Sequence, residues 1–140
     1  TVGYLVTVVA LKIKRKINQI LKEGDFEVSP EQFFVLASLH WHGSMSLTQL
    51  AKKTYKDNAN ITRMIDLMEK KGFVERRQDE EDKRAVKLVL TKSGKDMFQE
   101  ALGHILELKS LMAPGLGEEQ LEKYKDISMK LIENLSEQES

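Results

Sequence analysis

The sequence predicts a mostly α-helical chain carrying one small β-hairpin. Three observations predict it. Apolar residues recur at helical spacing near both ends of the chain; two capping boxes open helices at Ser29 and Ser46; and between Phe73 and Leu90 the apolar period changes from about 3.6 to 2.

The first helix spans residues 2–22, with Val2, Leu5, Val6, Val9, Ile13, Ile17, Ile20 and Leu21 along one face and Gly24-Asp25 as its stop. Ser29-Pro30-Glu31-Gln32 supplies an N-cap, a proline with the φ of a first turn and a glutamine that reaches back. Phe33, Phe34, Leu36, Ala37 and Leu39 carry that second helix to Gly43. Ser46-Leu47-Thr48-Gln49 opens a short third helix ending near Thr54, and Asp57 caps a fourth that runs to Gly72. Residues 73–78 and 85–90 alternate as strands, with the acidic run Asp79 to Asp82 in the turn between them. Thr91 opens a fifth helix through Phe98, Ala101, Leu102, Ile105, Leu108 and Met112, which Pro114-Gly115 and Gly117 break. A sixth helix carries Leu121, Tyr124, Ser128, Leu131 and Leu135 at near-heptad spacing.

Composition narrows the function classes. At 140 residues, 41% hydrophobic and 31% charged, this is one domain, or one with helical extensions, and it has an ordinary balance for a soluble protein. The lack of cysteine excludes disulfides, thiolate metal sites and thiol redox sensing, and it fits a cytoplasmic protein. The opening apolar run ends at Lys12, too short to span a bilayer, so no membrane role is expected; a start without Met fits a trimmed chain. Net charge is zero but unevenly spread: +1 over residues 1–43, +5 over 44–95 and −6 over 96–140. A basic middle hints at an anionic partner.

Two short helices joined by a tight turn and followed by a hairpin follow the plan of a winged helix-turn-helix, in which the second helix enters the DNA major groove. On the fourth helix, Ile61, Met64, Ile65 and Met68 gather on one side. Ala59, Thr62, Arg63, Asp66 and Lys70 lie on the other, and Asn58 and Asn60 stand at the N-terminal tip. Asn pairs with adenine, Arg with guanine, and Thr with a phosphate or a thymine methyl. A polar face opposite an apolar one is also what any surface helix shows, so order and residue types carry the reading together.

The hairpin from Glu75 to Lys87 holds five acids and five bases and is no basic patch. A solvated turn accounts for its charges as well as a DNA contact does. The order Asp82, Lys83, Arg84 is more specific: Asp82 is expected to pair with Arg76 or Arg84 and fix the turn, leaving an arginine free for a narrow minor groove.

Three stretches resemble the MarR family of bacterial transcription regulators, and the resemblance covers essentially the whole chain. They are NITRMIDLMEKKGFVER at 60–76, Asp82-x-Arg84, and Leu90-Thr91-x-x-Gly94. The resemblance implies a homodimer that binds a palindromic operator in double-stranded DNA. It assigns residues 1–43 and 92–140 to a helical dimerisation region and 44–91 to the winged helix-turn-helix. Contacts to bases and phosphates fall at Asn58, Asn60, Thr62 and Arg63, and the wing contact at Arg84 beside Lys83; Ala59 stands where the family often has serine. It further implies a small aromatic or anionic effector bound between the dimerisation and DNA-binding lobes, for which His40 and Trp41 are the candidate lining.

His40 and His42 do not form a chelating pair, since residues two apart on a helix point about 160° away from one another. No metal or other cofactor is expected. No phosphate loop, nucleophile elbow or paired-carboxylate plan is present, and an enzyme is not expected. The competing reading is a winged-helix module that binds proteins and not DNA, in keeping with the zero net charge.

Overall fold

A computed structural model describes residues 1–137, as seven helices and one two-stranded antiparallel sheet. Its contacts divide the chain into a unit from Thr1 to Leu106 and a second unit that begins at Glu107.

The first unit opens with α1 (Val2–Glu23), which Gly24 and Asp25 end. The Phe26 N–H donates to Leu21 O at 2.9 Å and the Asp25 N–H to Lys22 O, so the last carbonyls are satisfied by a turn with Asp25 at φ 55°. Gly24 precedes it because a Cβ there would meet the Phe26 ring. Only the C-terminal half of α1 reaches the core: Leu21 is buried and Ile17 packs beside it, while Val2, Leu5, Val6 and Val9 are exposed.

Both capping boxes form. Ser29 Oγ accepts the Gln32 N–H at 3.1 Å and Gln32 Oε1 accepts the Ser29 N–H, opening α2 (Pro30–His42). Ser46 and Gln49 repeat the exchange at the head of α3 (Leu47–Thr54). Asp57 caps α4 (Asn58–Lys70), whose exit is a glycine turn at Gly72, φ 79°. The buried face of α4 is Ile61, Ile65 and Met68, as its spacing requires. These residues share a core with Phe33, Leu36, Leu50, Val74, Leu88 and Phe98.

The hairpin pairs β1 (Val74–Gln78) with β2 (Val86–Leu90), each starting one residue later than the alternation suggests. Met45 and Leu88 exchange both backbone hydrogen bonds, which ties the loop between α2 and α3 to the wing. At the exit of β2, Thr91 closes three contacts: its N–H donates to Phe73 O, its hydroxyl donates to Gly72 O at 2.5 Å, and Oγ1 accepts the Gly94 N–H. A Cβ on Gly94 would overlap Phe73 O. The Leu-Thr-x-x-Gly stretch therefore marks where α5 crosses the start of β1 at backbone contact.

The fifth helix is shorter than expected. α5 (Lys92–Ile105) stops before a turn at Leu106 and Glu107, and a separate α6 (Leu108–Met112) follows in the second unit. At the junction the Leu106 N–H still bonds Leu102 O four residues back, whereas the Ser110 N–H bonds Glu107 O three residues back. The tightened turn breaks the ladder at Leu106 and Glu107 with no proline there, three residues after Gly103 in the last turn of α5. α7 (Glu118–Glu137) completes the second unit and leaves Tyr124, Ile127, Leu131, Ile132 and Leu135 exposed. Among the described residues no helix is long and apolar enough to cross a membrane.

Candidate nucleic-acid interface

The outward face of α4 gathers four of the residues singled out from sequence. Asn58 and Arg63 are exposed, Asn60 and Thr62 half-buried, and all four lie within the first two turns. Asp57 Oδ1 accepts the Asn60 N–H at 2.7 Å. The N-terminal turn is thus capped by a side chain that leaves other N–H groups open to a phosphate. The Thr62 hydroxyl donates to Asn58 O at 2.7 Å, so its proton is already committed within the helix. Arg63 has no acidic partner among the described ion pairs.

The wing turn is built differently from the expected ion pair. Asp82 pairs with neither guanidinium; its Oδ1 accepts the Arg84 backbone N–H at 3.0 Å, and its carbonyl accepts the Ala85 N–H. A short acid two residues before an N–H closes an Asx turn locally, which competes well against reaching a distant side chain. Arg76 turns instead to α4: Nη2 to Asp66 Oδ1 at 2.8 Å and Nη1 to Glu69 Oε1 at 2.5 Å. The hydrogen bond to Asp66, followed by the charges of both carboxylates, raises the Arg76 pKa above its ordinary value. Asp79 accepts the Glu81 N–H and pairs with Lys87, and the former contact first among several holds its carboxyl below the usual aspartate range. Lys83 and Arg84 are exposed at the turn with no acidic partner among the described ion pairs; of the four turn acids, Asp79 and Asp82 are engaged within the hairpin, while Glu80 and Glu81 are exposed.

His40 lines a cavity of about 440 Å³ with Leu39, Gly43, Ser44, Arg77, Val89, Leu90, Lys92 and Lys95. Trp41 is not part of that lining. It stands exposed with its ring edge-on to Phe98 at 5.7 Å, while His40 tilts over the same ring at 4.7 Å. The cations of this cavity went unmarked in the sequence because they come from a strand and a helix entrance brought together only by the fold.

A model of the MarR family matches residues 28–86, from the entry to α2 through the wing turn. The chain is 31% identical over 117 residues to the HTH-type transcriptional repressor MdtR of Bacillus subtilis (strain 168), covering 84% of this chain and 74% of that one. It is 30% identical over 135 residues to the HTH-type transcriptional repressor YetL of the same organism, covering 89% and 75%. Its fold superposes with a TM-score of 0.80 on a MarR mutant from E. coli complexed with operator DNA, at 26% identity and over 92% and 91% of the two chains.

Proposed function

This chain belongs to the MarR family, and from that premise we propose that it is a sequence-specific DNA-binding transcription regulator acting as a homodimeric repressor on a palindromic operator. The observation that carries the reading is the pairing of an exposed, side-chain-capped α4 tip with a wing whose Arg84 has no acidic partner among the described ion pairs. Asn58, Asn60, Thr62 and Arg63 read base edges and phosphates in the major groove. Arg84, with Lys83 beside it, reaches the adjacent minor groove or backbone. The family is one of transcription regulators, not of enzymes. A winged helix that binds only proteins is not favoured by relatives named as repressors or by a neighbour solved on operator DNA.

The dimer reading rests on uncovered apolar faces. The N-terminal half of α1 and the stripe Tyr124, Ile127, Leu131 and Leu135 of α7 are exposed in the single chain, more apolar surface than a monomer ordinarily leaves wet. A second copy covering them makes residues 1–43 and 92–140 the dimerisation region and leaves 44–91 to the DNA. A small aromatic or anionic effector enters the cavity beside His40, where Lys95 supplies positive charge and Leu39 and Val89 an apolar wall, Arg77 and Lys92 being paired with Glu75 and Asp96.

Selection of duplexes from a random pool by the full chain tests the whole reading. Two inverted half-sites spaced about one helical turn, roughly 10–10.5 base pairs, centre to centre are expected. An unstructured or single half-site consensus would overturn the dimeric reading, and no enrichment would overturn DNA recognition itself.

A further inference from the structure

One face of strand β1 links the recognition helix to the wing tip. Residues two apart on a strand share a face, so Val74, Arg76 and Gln78 form one row. Val74 is buried in the core. Arg76 grips α4 through Asp66 and Glu69, which are three residues apart and therefore neighbours on one side of that helix. Gln78 Nε2 donates to Lys83 O at 2.6 Å, the carbonyl immediately before Arg84. The chain of contacts runs from α4 through Arg76 and the strand to the residue that carries the wing's free guanidinium.

We propose that Arg76, Asp66, Glu69 and Gln78 are positioning residues that hold Arg84 at a fixed distance from the reading face of α4. The inference rests on the DNA-binding reading above. Stability does not explain the arrangement. The Arg76 side chain is 33% exposed and its partners 54% and 40%, and ion pairs at that exposure add little to folding. Charge does not explain it either, because two carboxylates on the outward side of a DNA-reading helix repel phosphates. What the fork does supply is geometry: two terminal nitrogens of one rigid guanidinium span two side chains of one helix, which a single point charge does not reproduce.

The decisive variant is the double substitution Asp66→Asn, Glu69→Gln in the full chain. It is measured by fluorescence anisotropy against a duplex selected from a random pool and against an unrelated duplex of equal length. Loss of two negative charges by itself would tighten both complexes. The positioning role instead weakens binding to the selected duplex about fivefold or more and leaves the unrelated duplex unchanged or tighter. Arg84→Ala then costs about tenfold in the wild-type background and less than about threefold in the Arg76→Ala background, since an unpositioned wing has little left to lose. Arg76→Lys recovers the charge without the fork and does not restore affinity. Thermal melts accompany each variant, and unchanged midpoints separate a lost geometry from a lost fold. Equal tightening on both duplexes, or full additivity of the Arg76 and Arg84 substitutions, overturns the proposal while leaving the regulator reading intact. Failure of the wild-type chain to select any duplex overturns both.

Discussion

The Asp82 carboxylate accepts the Arg84 backbone N–H at 3.0 Å, so the acid of the wing turn braces the main chain and leaves the arginine's guanidinium uncommitted. An ion pair between the two side chains would have hidden the charge that the wing has to present. Asp82→Ala should therefore lower affinity for operator DNA, and Asp82→Asn, which still accepts the hydrogen bond, should retain most of it. Both sit at an exposed turn, and thermal midpoints should correspond to changes within about 0.5 kcal/mol. Equal loss by Asn and Ala would show that the carboxylate's charge matters and not its acceptor.

Gly94 tolerates no side chain. Alanine there drives Cβ into Phe73 O, and backbone on both sides of the contact must move. Gly94→Ala is expected to destabilise by about 1–3 kcal/mol in urea denaturation, with the same m-value. Retention of wild-type stability would mean that α5 and β1 can separate at little cost.

Tyr55 closes α3 at φ 56° with its side chain exposed. A left-handed conformation costs a non-glycine residue roughly 1–2 kcal/mol, while glycine loses about 0.5–1 kcal/mol through the freedom of the unfolded chain. Strain relief outweighs the entropic loss, so Tyr55→Gly should raise stability by under about 1 kcal/mol. A lowered midpoint would reveal packing by the tyrosine ring that offsets the strain.

Glu31, in the first turn of α2, pairs with Lys14 of α1, and that hydrogen bond holds its carboxyl below the usual glutamate range. A depressed folded-state pKa stabilises the fold above the unfolded value of about 4.3 and loses that contribution as pH falls through the folded value. Urea midpoints of wild type and Glu31→Gln should differ at pH 7 and converge as the pH drops below about 4.3. A wild-type advantage that did not shrink as the pH fell from about 4.3 would place the effect elsewhere than in the charge.

Local signals were the legible ones. Ser29 with Gln32 and Ser46 with Gln49 each satisfy their own helix ends within four residues, so a short stretch of sequence suffices to place them. The buried row Ile61, Ile65 and Met68 follows from helical spacing alone, and it assigns the outward face of α4 to Asn58, Thr62 and Arg63. Partner choice was not legible. Arg76 had acids available at the turn and on α4, and only the packing of β1 against α4 decides for Asp66 and Glu69. Tyr55 carries a left-handed turn without the glycine that usually signals one, and Leu106-Glu107 interrupts a helix with residues that favour helices. The cavity beside His40 joins Arg77 to Lys92 and Lys95 across separate elements, a juxtaposition that no spacing along the chain encodes.

The measurement that tests the central claim most directly is the salt dependence of binding to a selected duplex by wild type and Arg63→Ala. Recognition through α4 predicts a steep fall of log K with log salt for both proteins. It also predicts a loss of about 1–3 kcal/mol for Arg63→Ala, confined to one base position in each half-site. A flat salt response, or an Arg63→Ala protein that binds every variant duplex as the wild type does, would contradict it.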